Sequence, residues 1–96
     1  MQDKARAHII VSGRVQGVFF RAYAKQKADQ LDIFGWVKNT DDGRVELIIE
    51  GDKAKVSRMV DWLEAGPKSA NVENIEVEPE VYQGEFADFK IIANDR

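Results

Sequence analysis

Apolar residues recur along the chain first at strand-like and then at helix-like spacing, and this switch occurs twice. The apolar, β-branched segment His8–Ser12 ends at Gly13 and is typical of a central strand buried on both faces. From Phe20, a helical face is predicted, interrupted by Lys27. Its members are Tyr23, Ala24, Ala28 and Leu31. The chain is therefore expected to open with a strand followed by a helix.

Two further strands are predicted on either side of a tight turn. They are Phe34–Asn39 and Arg44–Glu50, and the turn Thr40–Gly43 ends in Asp-Gly, which favours a hairpin because glycine readily adopts positive φ. Alternate residues of the second strand would face the core: Val45, Leu47 and Ile49. The opposite face carries Glu46 and Glu50, so we expect only one strongly buried face.

A second helix is predicted between Asp52, a residue that can cap a helix N-terminus, and a stop at Gly66-Pro67. Its apolar residues lie at i, i+3, i+4 and i+7: Val56, Met59, Val60 and Leu63. Val72–Val81 alternates acidic with apolar residues, and Phe86–Ile92 contains a last short strand. The glutamates of this region are expected to form a solvated sheet edge rather than a divalent metal site. They are Glu73, Glu76, Glu78 and Glu80.

The order strand, helix, strand, strand, helix, strand, with a closing strand, predicts the fold class. Two right-handed strand-helix-strand crossovers place both helices on one face of a mostly antiparallel five-stranded sheet. This α+β arrangement is the ferredoxin-like βαββαβ sandwich, a scaffold that serves many functions. Because 96 residues suffice for one hydrophobic core, we expect residues 1–96 to form a single domain.

Composition argues against several classes of function. The chain has no cysteine and a single histidine, His8, which excludes thiolate metal sites, cysteine nucleophiles and histidine-rich metal clusters. A net charge of -3 disfavours nucleic acid, and no apolar run is long enough to span a bilayer. The segment Met1–Arg6 lacks the apolar region of a secretion signal. We expect a cytoplasmic monomer that uses no metal or cofactor and binds neither nucleic acid nor membrane.

The loop Gly13–Arg21 has the features of an anion site. It joins a buried strand to a helix N-terminus, where free N–H groups and the helix dipole favour negative charge. Gly13 and Gly17 can adopt positive φ, which lets consecutive amides turn toward one centre. Arg21 lies in the first helical turn, and its guanidinium offers forked donors to phosphate oxygens. A glycine pair and an arginine also occur in ordinary turns, so the surrounding motif carries the assignment.

Two segments resemble a known family. Val11–Arg21 (VSGRVQGVFFR) matches the acylphosphatase signature V-x-G-x-V-Q-G-V-x-F-R without a break. Gly35–Val45 (GWVKNTDDGRV) matches the second family segment, G-W-V-x-N-x-x-D-G-x-V. Beyond Gly51 the resemblance rests on element order, and Phe89–Ile92 with the polar tail 93–96 departs from the family ending F-x-I-R-Y.

The resemblance implies an acylphosphatase, which hydrolyses the carboxyl-phosphate bond of a small acyl phosphate to a carboxylate and inorganic phosphate. It implies that Arg21 is the catalytic arginine that holds the phosphate, and that Asn39 positions the attacking water. The phosphate would also be held by the loop at Val15, Gln16, Gly17, Val18 and Phe19. We expect Asp41 and Asp42 to form the turn. No His, Cys or carboxylate lies in either segment at a position suited to accept the proton, so the substrate's own phosphate is the hypothesised base.

Two alternatives would use the same fold. A binding module could hold a phosphorylated ligand such as carbamoyl phosphate without turnover, as acylphosphatase-like domains do occur in larger maturation proteins, although this chain is short for that arrangement. An RNA-binding sheet could use the aromatic residues near Phe19 and Trp36. The acidic balance and the lack of interleaved basic and aromatic residues on the middle strands argue against RNA. Hydrolysis is the favoured interpretation.

Overall fold

The protein's computed structural model describes residues 3–93. Its elements are β1 (Lys4–Arg14), α1 (Phe20–Gln30), β2 (Phe34–Asn39), β3 (Val45–Asp52), α2 (Lys53–Ala65), β4 (Asn71–Glu80) and β5 (Phe89–Ile92). The predicted order of elements is confirmed. Strand β1 extends beyond the predicted segment at both ends, and β5 occupies the last four residues of the segment that was predicted to contain it. Most of the polar tail, residues 94–96, lies outside the described residues.

Within residues 3–93, five strands form one sheet in the order β4-β1-β3-β2-β5. Neighbouring strands are antiparallel, except that β2 and β5 run parallel. Both helices pack on the same face of this sheet, and the core lies between the two layers. It is built mainly from fully buried side chains such as Ile9, Leu47, Ile49, Met59 and Leu63. The ferredoxin-like α+β fold is confirmed.

Strand β1 occupies a central position, as predicted, but only one of its faces is fully buried. Ala7, Ile9 and Val11 are buried, whereas His8 and Ile10 between them are partly exposed. The expected burial on both faces was wrong, because the helices cover the opposite face of the sheet. The outer face of β1 is shielded only by side chains of the neighbouring strands.

Helix α1 presents a narrower buried face than its sequence suggested. Phe20, Ala24 and Ala28 are buried at intervals of four residues. Tyr23 is 44% exposed, so its predicted place in the buried face was wrong. The ring of Phe20 lies 6.0 Å from the ring of Trp62 on α2, and this pair fills the space between the two helices.

The end of β3 is buried on both faces, contrary to prediction, because Glu50 is only 1% exposed. Its carboxylate accepts hydrogen bonds from the backbone N–H groups of Gln83, Gly84 and Glu85, and from Arg6 Nη1 at 3.1 Å. Burial raises the pKa of Glu50, but these donors outweigh burial and hold the pKa below its usual value. The loop between β4 and β5 is thereby fastened to the sheet.

Helix α2 begins and ends near the predicted residues, but its cap differs. Asp52 occupies the N-cap position, and its carboxylate accepts a hydrogen bond from Lys4 Nζ at 2.7 Å instead of from the helix backbone. The capping role predicted for this side chain was wrong. Gly66 follows the helix with φ 71°, the positive φ expected of a glycine that ends a helix. Strand β4 lies at the sheet edge, and its glutamates are exposed as predicted.

Candidate active site

The loop between β1 and α1 makes two sharp turns just before the helix. Gly17 has φ 73°, and Phe19, the residue preceding α1, has φ 63° and ψ 22° in the left-handed region. Gly13 has φ 123° at a β-bulge against β4, where an added Cβ would lie 2.2 Å from the Asn71 carbonyl oxygen. The expectation that both glycines adopt positive φ is confirmed.

The loop is fixed to the protein by its own side chains. Val15 and Val18 are buried in the core, while Gly17 and Phe19 are exposed. The Val18 carbonyl also accepts a hydrogen bond from Ser69 Oγ at 2.6 Å. Because the core side is occupied in this way, the loop lies at the surface in a fixed conformation beside the free N–H groups of the α1 N-terminus.

Gln16 links the loop to the β2–β3 hairpin. Its Nε2 donates to the carbonyl oxygens of Thr40 and Arg44, in both cases at 2.8 Å. These carbonyls lie just beyond the end of β2, next to Asn39. Sequence reasoning assigned Gln16 only to the phosphate loop and missed this side-chain role. One indication of such a role was present in the sequence, since the family motif V-Q-G-V specifies glutamine at this position.

The hairpin turn is stabilised by its own polar side chains. Arg44 Nη2 lies 2.7 Å from the carboxylate of Asp42, and the Thr40 hydroxyl donates to the same carboxylate. The Arg44 guanidinium, together with Thr40, lowers the pKa of Asp42 to about 2. Asp42 therefore acts as the predicted turn residue. The turn holds Asn39, the last residue of β2, in a defined position.

A pocket of about 300 Å³ brings the predicted catalytic residues together. Arg21 and Asn39 both line it, although they are far apart in sequence. The remaining lining residues come mainly from the loop, the start of α1 and β5: Val15, Gly17, Phe19, Phe20, Ala22 and Ile91. Gln16 and Val18 are not among them, because their side chains contact the hairpin and the core instead.

Arg21 lies on the pocket wall between the loop and β5. Its Nη1 donates to the carbonyl oxygen of Ile92 at 3.1 Å, which is the only hydrogen bond that the Arg21 side chain makes to the described part of the chain. A guanidinium carries five N–H donors. Arg21 therefore retains donors that can bind an anion in the pocket.

Asn39 contributes a buried acceptor to the same pocket. Among the described residues, its Oδ1 is the only buried side-chain oxygen or nitrogen without a hydrogen-bond partner. Leaving such an atom without a partner costs about 1–3 kcal/mol. A water molecule or a ligand in the pocket would satisfy it.

In the part of the chain that the structure describes, no three His, Cys, Asp or Glu side chains are grouped as metal ligands would be. Neither α1 nor α2 is long and apolar enough to cross a membrane.

Fold and pocket together define a ferredoxin-like protein with a small site suited to an anion, formed by an arginine, an asparagine and a loop at a helix N-terminus. The family model for acylphosphatase matches residues 7–91. The chain is 52% identical to the acylphosphatase of Syntrophobacter fumaroxidans over 89 residues, which are 93% of this chain and 92% of the relative. The chain belongs to the acylphosphatase family and is an enzyme that hydrolyses acyl phosphates.

Solved structures agree with this assignment. An acylphosphatase from Coxiella burnetii superposes with a TM-score of 0.88 at 39% identity, and the match covers 94% of each chain. Acylphosphatase from Bacillus subtilis also gives a TM-score of 0.88, at 38% identity, over 92% of this chain and 98% of that one. The predicted family, fold and enzymatic activity are confirmed.

Proposed function

We propose that Asn39 positions the water that attacks the substrate, while Arg21 and the loop at residues 13–21 hold the phosphoryl group. The observation that carries this proposal is the shared pocket, which Arg21, Asn39 and the loop line together. Activity in this family requires placement and charge stabilisation, because an acyl phosphate is already an activated mixed anhydride.

The phosphoryl group would be held from two sides. Backbone N–H groups of Val15–Phe19 and the α1 N-terminus supply donors from the loop, and the Arg21 guanidinium supplies forked donors from the helix. Charge on the outer phosphoryl oxygens redistributes during transfer, and donors fixed in advance stabilise it without reorganisation. The hydrogen bond from Arg21 to Ile92 supports this role, because it restricts the guanidinium to the pocket wall.

Asn39 would act as a positioner rather than as a base. Its Oδ1 accepts a hydrogen bond from the water, which directs a lone pair of the water oxygen toward phosphorus. The new bond forms between that oxygen and phosphorus while the bond from phosphorus to the acyl oxygen breaks. The carboxylate departs with the bonding electrons, and the proton of the water passes to a phosphate oxygen. The buried Oδ1 without a partner supports the water-binding step.

Hydrolysis of benzoyl phosphate in excess EDTA tests the phosphate-holding role. Arg21→Ala should lower kcat by about 10²-fold or more, the range for removing one preorganised charge-stabilising donor. Arg58→Ala is the matched control, because Arg58 is exposed on α2 and lies outside the pocket. Wild-type kcat retained by Arg21→Ala would contradict the proposal, and loss of wild-type turnover in EDTA would contradict the metal-free steps.

We further propose that the chain works as a single-domain monomer in the cytoplasm and without nucleic acid. The pocket is complete within one chain, and without cysteine the fold has no disulfide that a reducing compartment could break. On the outer sheet face, Ile10 pairs with Glu46 and Glu76, and His8 with Glu78, so the face that would hold RNA bases is acidic. Sedimentation equilibrium tests the monomeric state, and a single-stranded RNA binding assay tests the absence of nucleic-acid binding.

A further inference from the structure

We propose that the side chain of Phe19 recognises the acyl part of the substrate, and that this enzyme prefers bulky apolar acyl groups to acetyl. The proposal rests on the proposed function, because the phosphate must be held by Arg21 and the loop for the acyl group to reach Phe19. It concerns the part of the substrate that the phosphate-binding residues do not address.

Phe19 is an exposed aromatic residue in an unfavourable backbone conformation. Its side chain is 76% exposed, although its ring is apolar. Its φ of 63° lies in the left-handed region, where a bulky residue other than glycine is uncommon. The one other such residue among the described ones is Asp32, whose short polar side chain tolerates this region better. Backbone outliers of this kind cluster at ligand sites, where strain holds a side chain in place.

The backbone around Phe19 is anchored on both sides of the residue, and its side chain lines the pocket. The Phe19 carbonyl accepts a hydrogen bond from the Tyr23 N–H at 3.1 Å, which closes the first turn of α1. The preceding residue, Val18, is anchored in the core and accepts the hydrogen bond from Ser69. Neither contact involves the Phe19 ring, so the fold does not use this ring for packing.

The pocket has a polar part and an apolar part. Arg21 and Asn39 supply its polar side chains, and the phosphoryl group would occupy that part. Among the other lining residues, Phe19 from the loop and Ile91 from β5 are both exposed apolar side chains, at 76% and 42%. An acyl group leaving the phosphate toward solvent can therefore contact an aromatic ring and a branched aliphatic side chain.

The charge of the lining favours the same class of acyl group. Arg21 is the only charged residue among the lining residues of the described chain, and the phosphate would engage it. A polar or charged acyl substituent would lose water at Phe19 and Ile91 without gaining a partner. An apolar substituent would instead remove apolar surface from water on both partners. Aromatic and longer aliphatic acyl phosphates are the expected substrates.

The test compares kcat/KM for benzoyl phosphate with kcat/KM for acetyl phosphate in wild type and three variants. Phe19→Ala removes the ring and keeps a Cβ, so the backbone strain is unchanged. Phe19→Tyr keeps the ring. Phe34→Ala is the control, since Phe34 is an exposed phenylalanine, at 39%, that begins β2 and does not line the pocket.

The ratio of the two kcat/KM values decides the proposal. It should fall by about five- to tenfold in Phe19→Ala, at or below the lower end of the range for one apolar group, because the site is open to solvent. It should stay near the wild-type value in Phe19→Tyr and Phe34→Ala. An unchanged ratio in Phe19→Ala, including an equal loss for both substrates, would overturn the proposal. That result would leave the roles of Arg21 and Asn39 intact, because those are tested by kcat on a single substrate.

Discussion

The link from Gln16 to the hairpin gives the sharpest prediction about how the site is held together. Gln16→Met keeps the length of the side chain and removes the amide that donates to the carbonyls of Thr40 and Arg44. Two hydrogen bonds at about 0.5–1.5 kcal/mol each are lost. Both carbonyls keep another donor within the turn, because the Gly43 N–H donates to the Thr40 carbonyl and the Thr40 N–H donates to the Arg44 carbonyl. The penalty for an unsatisfied acceptor is therefore small, and we expect a loss of about 1–2 kcal/mol in the free energy of unfolding.

The effect on catalysis should exceed what this loss of stability would cause, because the enzyme remains folded at 25 °C. Freed from Gln16, the hairpin can shift relative to the loop, and a displacement of about 1 Å can cost up to 10²-fold in rate. We expect kcat for benzoyl phosphate to fall about tenfold, while the inhibition constant of inorganic phosphate changes less than kcat. Urea unfolding and steady-state kinetics measure both, with Gln26→Met on the exposed side of α1 as control. An undiminished kcat in the destabilised variant would show that the Gln16 link does not position the hairpin for catalysis.

Two other predictions concern stability. Glu50→Gln replaces a buried carboxylate that accepts four hydrogen bonds, so it should lower the free energy of unfolding by about 3 kcal/mol at pH 7. The folded pKa of Glu50 is depressed, so its stabilisation is present above an unfolded pKa of about 4.3 and is lost as pH falls through the folded value. The difference in the free energy of unfolding between wild type and variant, measured by urea titration, should accordingly shrink below about pH 4. A difference that stays constant with pH would argue against a stabilising role of the ionised Glu50 carboxylate. Met59→Ala, at a fully buried core position, should cost about 3 kcal/mol yet leave kcat at 25 °C near the wild-type value, and a large fall in kcat of the folded variant would contradict this.

The sequence predicted those parts of the fold in which local pattern and tertiary packing agree. Strand β2 has the predicted bounds because the Asp-Gly turn defines one end and aromatic and β-branched residues fill the strand. Helix α2 buries residues at the predicted apolar spacing, because the same positions pack against the sheet. Arg21 and Asn39, which were predicted to be site residues because each belongs to an unbroken motif, line the same pocket, and their catalytic roles stay predictions.

The errors arose where a partner distant in sequence determines the outcome. Glu50 is buried because the loop at residues 83–85 supplies backbone donors, which no pattern within β3 could indicate. Asp52 pairs with Lys4 across β1 and β3, a contact created by strand register. On α1, it is Phe20 that packs against the distant Trp62 of α2, while Tyr23 stays exposed.

The side-chain link of Gln16 belongs to the same category. The motif specified a glutamine at this position, but its acceptors are backbone carbonyls of the hairpin, which the sequence does not identify. The pocket itself also depends on β5, which contributes Ile91 and the Ile92 carbonyl. The parallel pairing of β5 with β2 was not evident from the short apolar segment that forms the strand.

In the proposed mechanism, Asn39 converts a phosphate-binding loop into a hydrolase by positioning water. The most direct measurement is kcat of Asn39→Ala on benzoyl phosphate, together with the inhibition constant of inorganic phosphate, with Asn74→Ala on the exposed edge strand as control. We predict that kcat falls by about 10²-fold while the inhibition constant stays within about threefold of wild type. A kcat that is retained, or an inhibition constant that rises in proportion to the loss of kcat, would contradict the water-positioning role of Asn39.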